Sequence, residues 1–348
     1  MLDLVIFDAS YFVHSGMGVP DIAKERVGSM PVGGIRFLMK FVSVELYKGN
    51  KVFIAFDANP KLRRDIYPAY KSNRGNKVQV YAQLELLRKL LDGTGIAYGY
   101  KDGYEADDVI YSVIERERAK GDGSLIMMRA GDKDLAHNIV DSNTYLYAQG
   151  GNGVSIKRDN FESAISAGRT VMFNTVSPFK VFFGDSSDTI PKPRYKSKEY
   201  NADFCYNFYI NWLKQYNIKD PLVTRYKDNL ITIADSLRET LGEDCYSDIR
   251  RNIELVYPMY IEDLDYELRY ESQLYRPRLV NLLCAIQDYT SLKTLGLKPQ
   301  AVSDYAKNLV ESISKDLYTD NIAIDNNIQT RRTEEPTSLK RMSNFKEF

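Results

Sequence analysis

The chain has 348 residues, and its 47 lysines and arginines balance its 47 aspartates and glutamates, giving a formal net charge of zero at pH 7. This balance excludes a chain-wide basic field, so any contact with nucleic acid must come from local clusters of positive charge. The length allows a large core divided between two lobes. Three widely spaced cysteines, Cys205, Cys245 and Cys284, fit neither a disulfide framework nor a zinc cluster and predict free thiols in a reducing compartment.

The first residues, MLDLVIFD, reach an aspartate at position 3 without a preceding basic region, so we expect no signal peptide. No apolar run approaches the roughly 18 residues needed to cross a bilayer. These two features predict a cytoplasmic protein with no membrane partner.

Short apolar segments alternate with helical patterns along the first part of the chain. Residues 33–49 and 80–95 carry apolar side chains at helical spacing. The alternation predicts an α/β catalytic domain over residues 1–160, with a doubly wound parallel sheet flanked by helices. Beyond it we predict a mostly α lobe over residues 161–324 and a flexible tail over residues 325–348. The predicted strands are residues 3–7, 52–56, 96–100, 124–130 and 144–148.

Acidic residues follow the apolar runs or open the helices at five places. In an open α/β sheet such positions lie at the carboxyl edge, where ligands bind. Several carboxylates at one edge cannot all stay ionised unless a cation lies between them. Oxygen ligands favour two Mg²⁺ ions, for which Mn²⁺ can substitute, and this predicts two-metal phosphodiester hydrolysis. The predicted ligands are Asp8, Asp57, Glu105, Asp107, Asp108, Asp132, Asp134, Asp185 and Asp188.

Each of these acidic groups also has an ordinary structural interpretation. The EADD sequence at 105–108 is typical of the first turn of a helix, which favours negative charge. The GDKD and GDSSD sequences are typical of turns and helix caps. A single metal site accounts for all five places at once, whereas the structural interpretation needs five independent causes.

A basic segment, PKLRRDIYPAYKSNRGNK, follows Asp57 and covers residues 60–77. Its lysines and arginines can hold phosphates, and its tyrosines can stack on bases, as in proteins that bind single strands. The alternative is a solvated loop. Its position directly after a predicted active-site strand favours the functional interpretation.

Taken in order, the motifs VIFDAS, FIAFDA, RRDIYPAYKSNRG, YEADD, GDKD and FFGDSSDTIP resemble those of the flap endonuclease-like 5′-nuclease family. Within this family the motifs resemble in particular those of the ribonuclease H subgroup of T-even-type phages. The resemblance covers roughly residues 1–195. It implies a PIN-like/FEN-like sheet domain with a helical arch at about residues 60–82. It also implies a monomeric nuclease that removes RNA primers and adjacent DNA at 5′ ends or flaps during replication.

The resemblance also implies roles for individual residues. Asp8 and Asp107 would support the first metal, and Asp132, Asp134 and Asp185 the second, with Asp188 acting through water. Arg64 and Tyr67 would line the path of the strand. Four residues count as catalytic, namely Asp107, Asp132 and the basic pair Lys71 and Arg74, which would neutralise the scissile phosphate.

The sequence departs from the family pattern at two places. His14 stands where many members have a tyrosine that stacks on the terminal base, and it can stack or pack internally. A glycine-rich turn that grips duplex phosphates is replaced by TIPKPRYKSKEY. A potassium site is therefore not expected. Positively charged side chains would have to replace the contacts that the glycine-rich turn makes with duplex phosphates. The residues that could supply it are Lys192, Arg194, Lys196 and Lys198.

The last residues, SLKRMSNFKEF, place apolar side chains at helical spacing after a polar linker. Such a peptide suits a hydrophobic groove on a sliding clamp or a single-strand-binding protein, and the alternative is a terminus without a partner. The predicted contact residues are Leu339, Met342, Phe345 and Phe348.

Two other functions remain as alternatives to the nuclease. A replisome adaptor on the same fold would bind nucleic acid without cleaving it, but such a protein would be expected to have lost several of the acids. A phosphatase with Asp8 as nucleophile would need a downstream lysine and hydroxyl motif and would leave the basic segment unexplained.

Overall fold

The computed structural model of the chain describes residues 2–75, 77–139, 141–148, 154–157, 176–196, 198–215 and 227–317. The predicted partner contacts Leu339, Met342, Phe345 and Phe348 lie outside these residues. Within the described part of the chain, no helix is both long enough and apolar enough to cross a membrane.

A six-stranded sheet lies at the centre of the fold, in the order β5-β4-β1-β6-β7-β8. Its first five strands in this order pair in parallel, and β8 pairs with β7 in the antiparallel sense. The predicted α/β fold is therefore confirmed, while the three-residue β8 was too short to give a pattern. The strands are β1 (Leu4–Asp8), β4 (Lys51–Ala55), β5 (Ala97–Gly99), β6 (Ile126–Ala130), β7 (Thr144–Ala148) and β8 (Val154–Ile156), and β2 (Arg26–Val27) and β3 (Met30–Pro31) form a separate pair.

Helices follow most of the strands, and a group of helices occupies the later part of the described chain. The helices of the first part are α1 (Ala9–Met17), α2 (Pro20–Ala23), α3 (Gly33–Tyr47), α4 (Lys61–Ile66), α5 (Val78–Leu91) and α6 (Ala106–Ala119). Those of the second part are α7 (Val176–Phe183), α8 (Ala202–Gln215), α9 (Lys227–Leu241), α10 (Glu243–Val256), α11 (Arg276–Ala285), α12 (Tyr289–Thr294) and α13 (304–317).

Alternate residues of β1 enter two different cores. Val5 and Phe7 pack with the apolar faces of α1, α3 and α5, while Leu4 and Ile6 pack with α6 on the opposite face. Because successive side chains of a strand point to opposite faces, a strand covered on both sides must be apolar throughout. This is why LVIF carries no polar residue before Asp8.

The predicted assignment of residues 161–324 to one α lobe needs correction. Helices α8, α9 and α10 form a core of their own together with Val181 and Phe182 of α7. In contrast, the apolar side chains of α11, α12 and α13, from Leu279 to Leu317, belong to the same core as α3 and α5 of the sheet domain. The chain therefore returns to the sheet domain after α10, which a scan for composition along the chain could not reveal.

The segment predicted as a helical arch contains α4 and the start of α5, joined by turns. It lies against the loop that holds two of the predicted acids. The backbone N–H of Lys71 donates to the Asp188 carbonyl at 3.0 Å, and the Asn73 amide donates to the Ser186 carbonyl at 2.9 Å. Lys71 has a φ of 54°, a left-handed conformation that is costly for a residue with a side chain.

Candidate active site

Three neighbouring strands bring the first acids together. Asp8 is the last residue of β1, and Asp57 and Asp132 lie two residues beyond the ends of β4 and β6. Since β1 pairs with both β4 and β6 in parallel, the three carboxyl ends meet at one edge of the sheet. The Asp57 carboxylate also accepts a hydrogen bond from the N–H of Ala106 at 2.8 Å, which ties this edge to the start of α6.

Eight of the nine predicted carboxylates border two adjoining cavities at this edge. The larger cavity, of about 320 Å³, is bordered by Asp8, Asp57 and the three acids that it shares with the smaller one. The smaller cavity, of about 60 Å³, is bordered in addition by the acids of the two later motifs. The shared acids are Glu105, Asp107 and Asp132, and the additional ones are Asp134, Asp185 and Asp188.

Crowding of the carboxylates at this edge disfavours their ionised forms. Burial, and then the charges of Asp57 and Asp132, raise the pKa of Asp8 to about 7. Burial and the charge of Asp132 likewise raise the pKa of Asp134 to about 7 and that of Asp107 well above its usual range. A cation at this edge would relieve the repulsion.

Two lysines supply part of the opposing charge. The ammonium group of Lys180 on α7 contacts Asp134 and lies 2.5 Å from a carboxylate oxygen of Asp185. Lys71 contacts Glu105 and lies 3.7 Å from Asp188. Burial alone would raise the pKa of Glu105, but the positive charges of Lys71 and Arg63 outweigh it and lower that pKa.

The donor atoms at this edge are carboxylate oxygens, which is the ligand set of hard divalent cations such as Mg²⁺. Among the residues that the structure describes, no three ligating side chains are placed as a ready-made metal-binding set. The ammonium groups of Lys71 and Lys180 lie among these carboxylates and pair with those of Glu105, Asp134 and Asp185. The type and position of the ligands therefore fit divalent cations, and the carboxylates would need to turn to bind them.

Asp108 is not brought into this group and requires a correction to the predicted ligand set. Its carboxylate is fully buried and accepts two hydrogen bonds from Arg63, at 2.6 and 2.7 Å. It also accepts from the backbone N–H groups of Glu105 and Met259. These bonds leave its oxygens fully engaged, so Asp108 fixes the start of α6 and does not face the cavities.

The residues predicted to contact nucleic acid before Asp188 divide into three groups. Lys71, Arg74 and His14 border the larger cavity, and Arg74 lies 2.5 Å from the Asp188 carboxylate. Arg64 borders an adjoining groove, which shares Asp57 with the larger cavity. Tyr67 borders none of these cavities and instead packs under the Arg251 guanidinium, 5.1 Å from the ring centroid.

The segment after Asp188 has no regular structure up to Lys196, and its basic side chains are exposed. Arg194 is engaged by Asp248, at 2.7 Å, so its charge is compensated within the protein. Three exposed lysines, Lys192, Lys196 and Lys198, remain as candidates for phosphate contacts.

The sequence interpretation missed four residues of the site. Arg63 and Tyr70 lie in the basic segment, and Tyr70 donates to Glu105 at 2.8 Å. Lys180 borders the smaller cavity from α7, and His137 borders it from the 3₁₀ helix Lys133–Asn138 after β6. The positions of Arg63 and Tyr70 inside a recognised motif were a usable signal, whereas a single lysine or histidine in a helical pattern gives none.

Comparison with known proteins agrees with this geometry. Residues 4–166 match the family described as 5′-3′ exonuclease, N-terminal resolvase-like domain. The first half of the chain is therefore similar to a 5′-3′ exonuclease domain. The chain is 28% identical to a 5′-3′ exonuclease of Mycobacterium tuberculosis over 156 residues, which is 40% of this chain and 48% of that protein. It is 25% identical to DNA polymerase I of Caldicellulosiruptor bescii over 316 residues, which is 85% of this chain and 34% of that protein.

The chain thus spans less than half the length of each of these two relatives. Among solved structures, one that aligns with this chain is the T5 D15 protein co-crystallised with metal ions. The alignment has a TM-score of 0.46 and 12% identity, and it covers 91% of this chain and 98% of that one. The catalytic core of Rad2 in complex with a DNA substrate has a TM-score of 0.48, 14% identity and coverage of 86% and 92%. The sequence matches support the prediction that the chain is a nuclease.

Proposed function

We propose that the protein is a divalent-metal-dependent 5′-3′ exonuclease and flap endonuclease. The observation that carries the proposal is the convergence of eight carboxylates from five separate sequence motifs on two adjoining cavities. The match of residues 4–166 to a 5′-3′ exonuclease domain supports the same reaction. The proposed substrates are DNA and RNA–DNA hybrids with 5′ ends or flaps, including RNA primers, as in the ribonuclease H subgroup of phages.

The proposed metal ligands are among the acids that border the cavities, with Asp8 and Asp107 supporting the first ion and Asp132, Asp134 and Asp185 the second. Two divalent ions, Mg²⁺ with Mn²⁺ as a substitute, would activate a water molecule and stabilise the leaving oxygen of the phosphodiester. Asp188 would hold a water molecule that contacts an ion.

Two basic side chains of the same site would act on the substrate directly. Lys71 is held at the acids by Glu105, and Arg74 by Asp188, so both lie where a phosphate must enter. Positive charge placed there in advance stabilises the extra negative charge of the transition state. His14, which borders the same cavity, would stack on a base.

The test is cleavage of 5′-labelled nicked, flapped and RNA-primed duplexes, with Mg²⁺ and then with EDTA. The proposal predicts Mg²⁺-dependent products released from the 5′ end, and their lengths separate exonuclease from flap endonuclease action. The Asp132→Asn variant should bind each substrate and cleave none. Binding by the wild-type protein without cleavage in any condition would support the alternative, a replisome adaptor that binds nucleic acid.

A further inference from the structure

The loop that carries Asp185 and Asp188 is a narrow hairpin, which we call the acid hairpin and define as residues 184–191. Asp185 and Ile190 exchange two backbone hydrogen bonds at its base, of 2.9 and 2.8 Å. Gly184, with a φ of 71°, lets the two ends of the hairpin pass close to each other, because a Cβ atom there would lie 2.7 Å from the Ile190 carbonyl oxygen. The positions of the two carboxylates therefore depend on how these two ends are held.

Asn252 of α10 holds both ends of the acid hairpin from inside the protein. Its side chain is fully buried, and its amide nitrogen donates to the Val181 carbonyl at 3.1 Å and to the Pro191 carbonyl at 2.8 Å. Val181 lies in the last turn of α7, where the carbonyls lack partners within the helix. Pro191 is the last residue of the hairpin. One amide group thus joins the chain that enters the hairpin to the chain that leaves it.

The orientation of this amide is set by its neighbours. Arg251 donates to the side-chain oxygen of Asn252 at 3.1 Å, and the two carbonyls can only accept, so the amide nitrogen must face the hairpin. Both N–H groups of the amide are then used. An aliphatic side chain in this position would leave both carbonyls without this partner.

The same helix also holds acids on the other side of the smaller cavity. The carbonyl of Leu255 in α10 accepts a hydrogen bond of 3.1 Å from Arg63, whose two bonds to Asp108 fix the start of α6. Glu105 and Asp107 lie at that start. Helix α10 is therefore a common support, which sets the separation between these acids and the acid hairpin.

We propose that Asn252 is a positioning residue for metal binding, which holds the acid hairpin so that Asp185 reaches the second divalent ion. This inference rests on the proposed function and adds to it a residue that borders neither acid cavity. Groups that orient the ligands of a metal contribute to the affinity for the ion, and their loss typically weakens binding by about 10- to 100-fold.

The first experiment measures binding of Mn²⁺ to the full-length protein by isothermal titration calorimetry. The Asp185→Asn variant identifies the binding event that depends on the acid hairpin. In Asn252→Leu, which has the branched shape of asparagine without its N–H donors, we expect the same event to weaken by about 10- to 100-fold and the other event to stay unchanged. A purely structural role of Asn252 would change neither event.

Asn281→Leu is the matched control for the titration. Asn281 is also a buried asparagine in a helix, α11, and its side-chain oxygen accepts the Ser303 N–H at 2.8 Å, but it borders neither acid cavity. Both binding events should be unchanged in this variant. Unchanged affinity in Asn252→Leu, or an equal loss in the control, would overturn the inference while leaving the nuclease assignment in place. Fewer than two binding events in the wild type would instead overturn the proposed two-metal reaction.

The second experiment needs no metal ion. Hydrogen exchange of the full-length protein in EDTA, read by mass spectrometry, follows peptides that cover the acid hairpin and α9. In Asn252→Leu we expect the hairpin to lose protection by about tenfold or more, while α9, which packs in the same helical core, keeps its protection. Asn252→Ser, which keeps one donor, replaces this variant if Asn252→Leu does not fold. Unchanged protection of the hairpin, or an equal loss in α9, would show that Asn252 does not hold the hairpin specifically and would overturn the inference.

Discussion

Arg63 and Asp108 form a buried bidentate salt bridge, with two hydrogen bonds of 2.6 and 2.7 Å. Arg63 is 3% exposed and Asp108 is not exposed at all. The same guanidinium donates to the carbonyls of Leu255 and Tyr257 at the end of α10. One residue therefore joins the basic segment, the acid-bearing helix α6 and the helical core of α8, α9 and α10.

Removal of either partner of this bridge should destabilise the protein strongly. In the Arg63→Met variant, the Asp108 carboxylate would stay buried without its counter-charge, and we expect a loss of about 3–5 kcal/mol in the free energy of unfolding. Urea denaturation followed by circular dichroism measures this loss. Arg238→Met is the matched control, since Arg238 pairs with Glu243 at the surface and should cost at most about 1 kcal/mol. Similar losses in both variants would contradict the structural role of the bridge.

Neutralising Asp132 should stabilise the metal-free protein while it abolishes cleavage. The charge of Asp132 raises the pKa of Asp8, Asp107 and Asp134, so it repels all three carboxylates. In Asp132→Asn the side-chain oxygen can still accept from the N–H of Asp134, a bond of 2.9 Å in the wild type. We therefore expect a higher Tm than that of the wild type in EDTA at pH 8.

Added Mg²⁺ should raise the Tm of the wild type above that of Asp132→Asn, because an ion that binds only the folded state stabilises it by mass action. The Tm of the wild type should rise with Mg²⁺ concentration, and that of Asp132→Asn should rise less. The exposed Asp304 provides the control Asp304→Asn, which should respond to Mg²⁺ as the wild type does. If the Tm of Asp132→Asn in EDTA is lower than that of the wild type, then Asp132 does not lie in a cluster of carboxylates that repel one another.

Lys71, one of the lysines of the basic segment, should affect the rate of cleavage more than the affinity for the substrate. Lys71 contacts Glu105, so it is held at the acids before a substrate arrives. For Lys71→Met we expect kcat to fall by about 10²–10³, the usual effect of losing one preorganised stabilising group, with little change in substrate affinity. Single-turnover cleavage and anisotropy measure the two effects separately. Lys101→Met removes a partly exposed lysine that pairs with Asp263 and should change neither the rate nor the affinity. A loss of affinity alone would mean that Lys71 only positions the backbone.

The sheet and most of the acid site could be predicted because both depend on short-range patterns. An apolar run that ends in an acid, such as LVIFD, predicts a buried strand and the position of its last side chain at the same time. The capping role of Asp8, which accepts the N–H of Tyr11 at 3.0 Å, coexists with its place at the cavity, so the two interpretations of the acids were not exclusive.

The remaining features depend on contacts between residues that are far apart in the chain. The sequence EADD does not distinguish Asp107 from its neighbour, because the partner that turns Asp108 inward, Arg63, lies 45 residues earlier. The placement of Leu279 and Leu317 in the core of α3 is likewise invisible to a local pattern, since any amphipathic helix can pack on either core. The same holds for Lys180, whose acid partners are brought to it by tertiary structure.

The exposed lysines after Asp188 should determine the salt dependence of duplex binding. Each phosphate contact contributes about −0.9 to the slope of log Kobs against log salt concentration. In the Lys192→Gln/Lys196→Gln/Lys198→Gln variant we therefore expect a slope that is shallower by up to about 2.7, with kcat at saturating substrate unchanged. Arg194 is left intact because its charge is taken up by Asp248. Lys293→Gln/Lys298→Gln/Lys307→Gln, which neutralises three exposed lysines elsewhere on the chain, is the matched control for net charge. An equal change of slope in both triple variants would mean that overall charge, and not this segment, attracts the duplex.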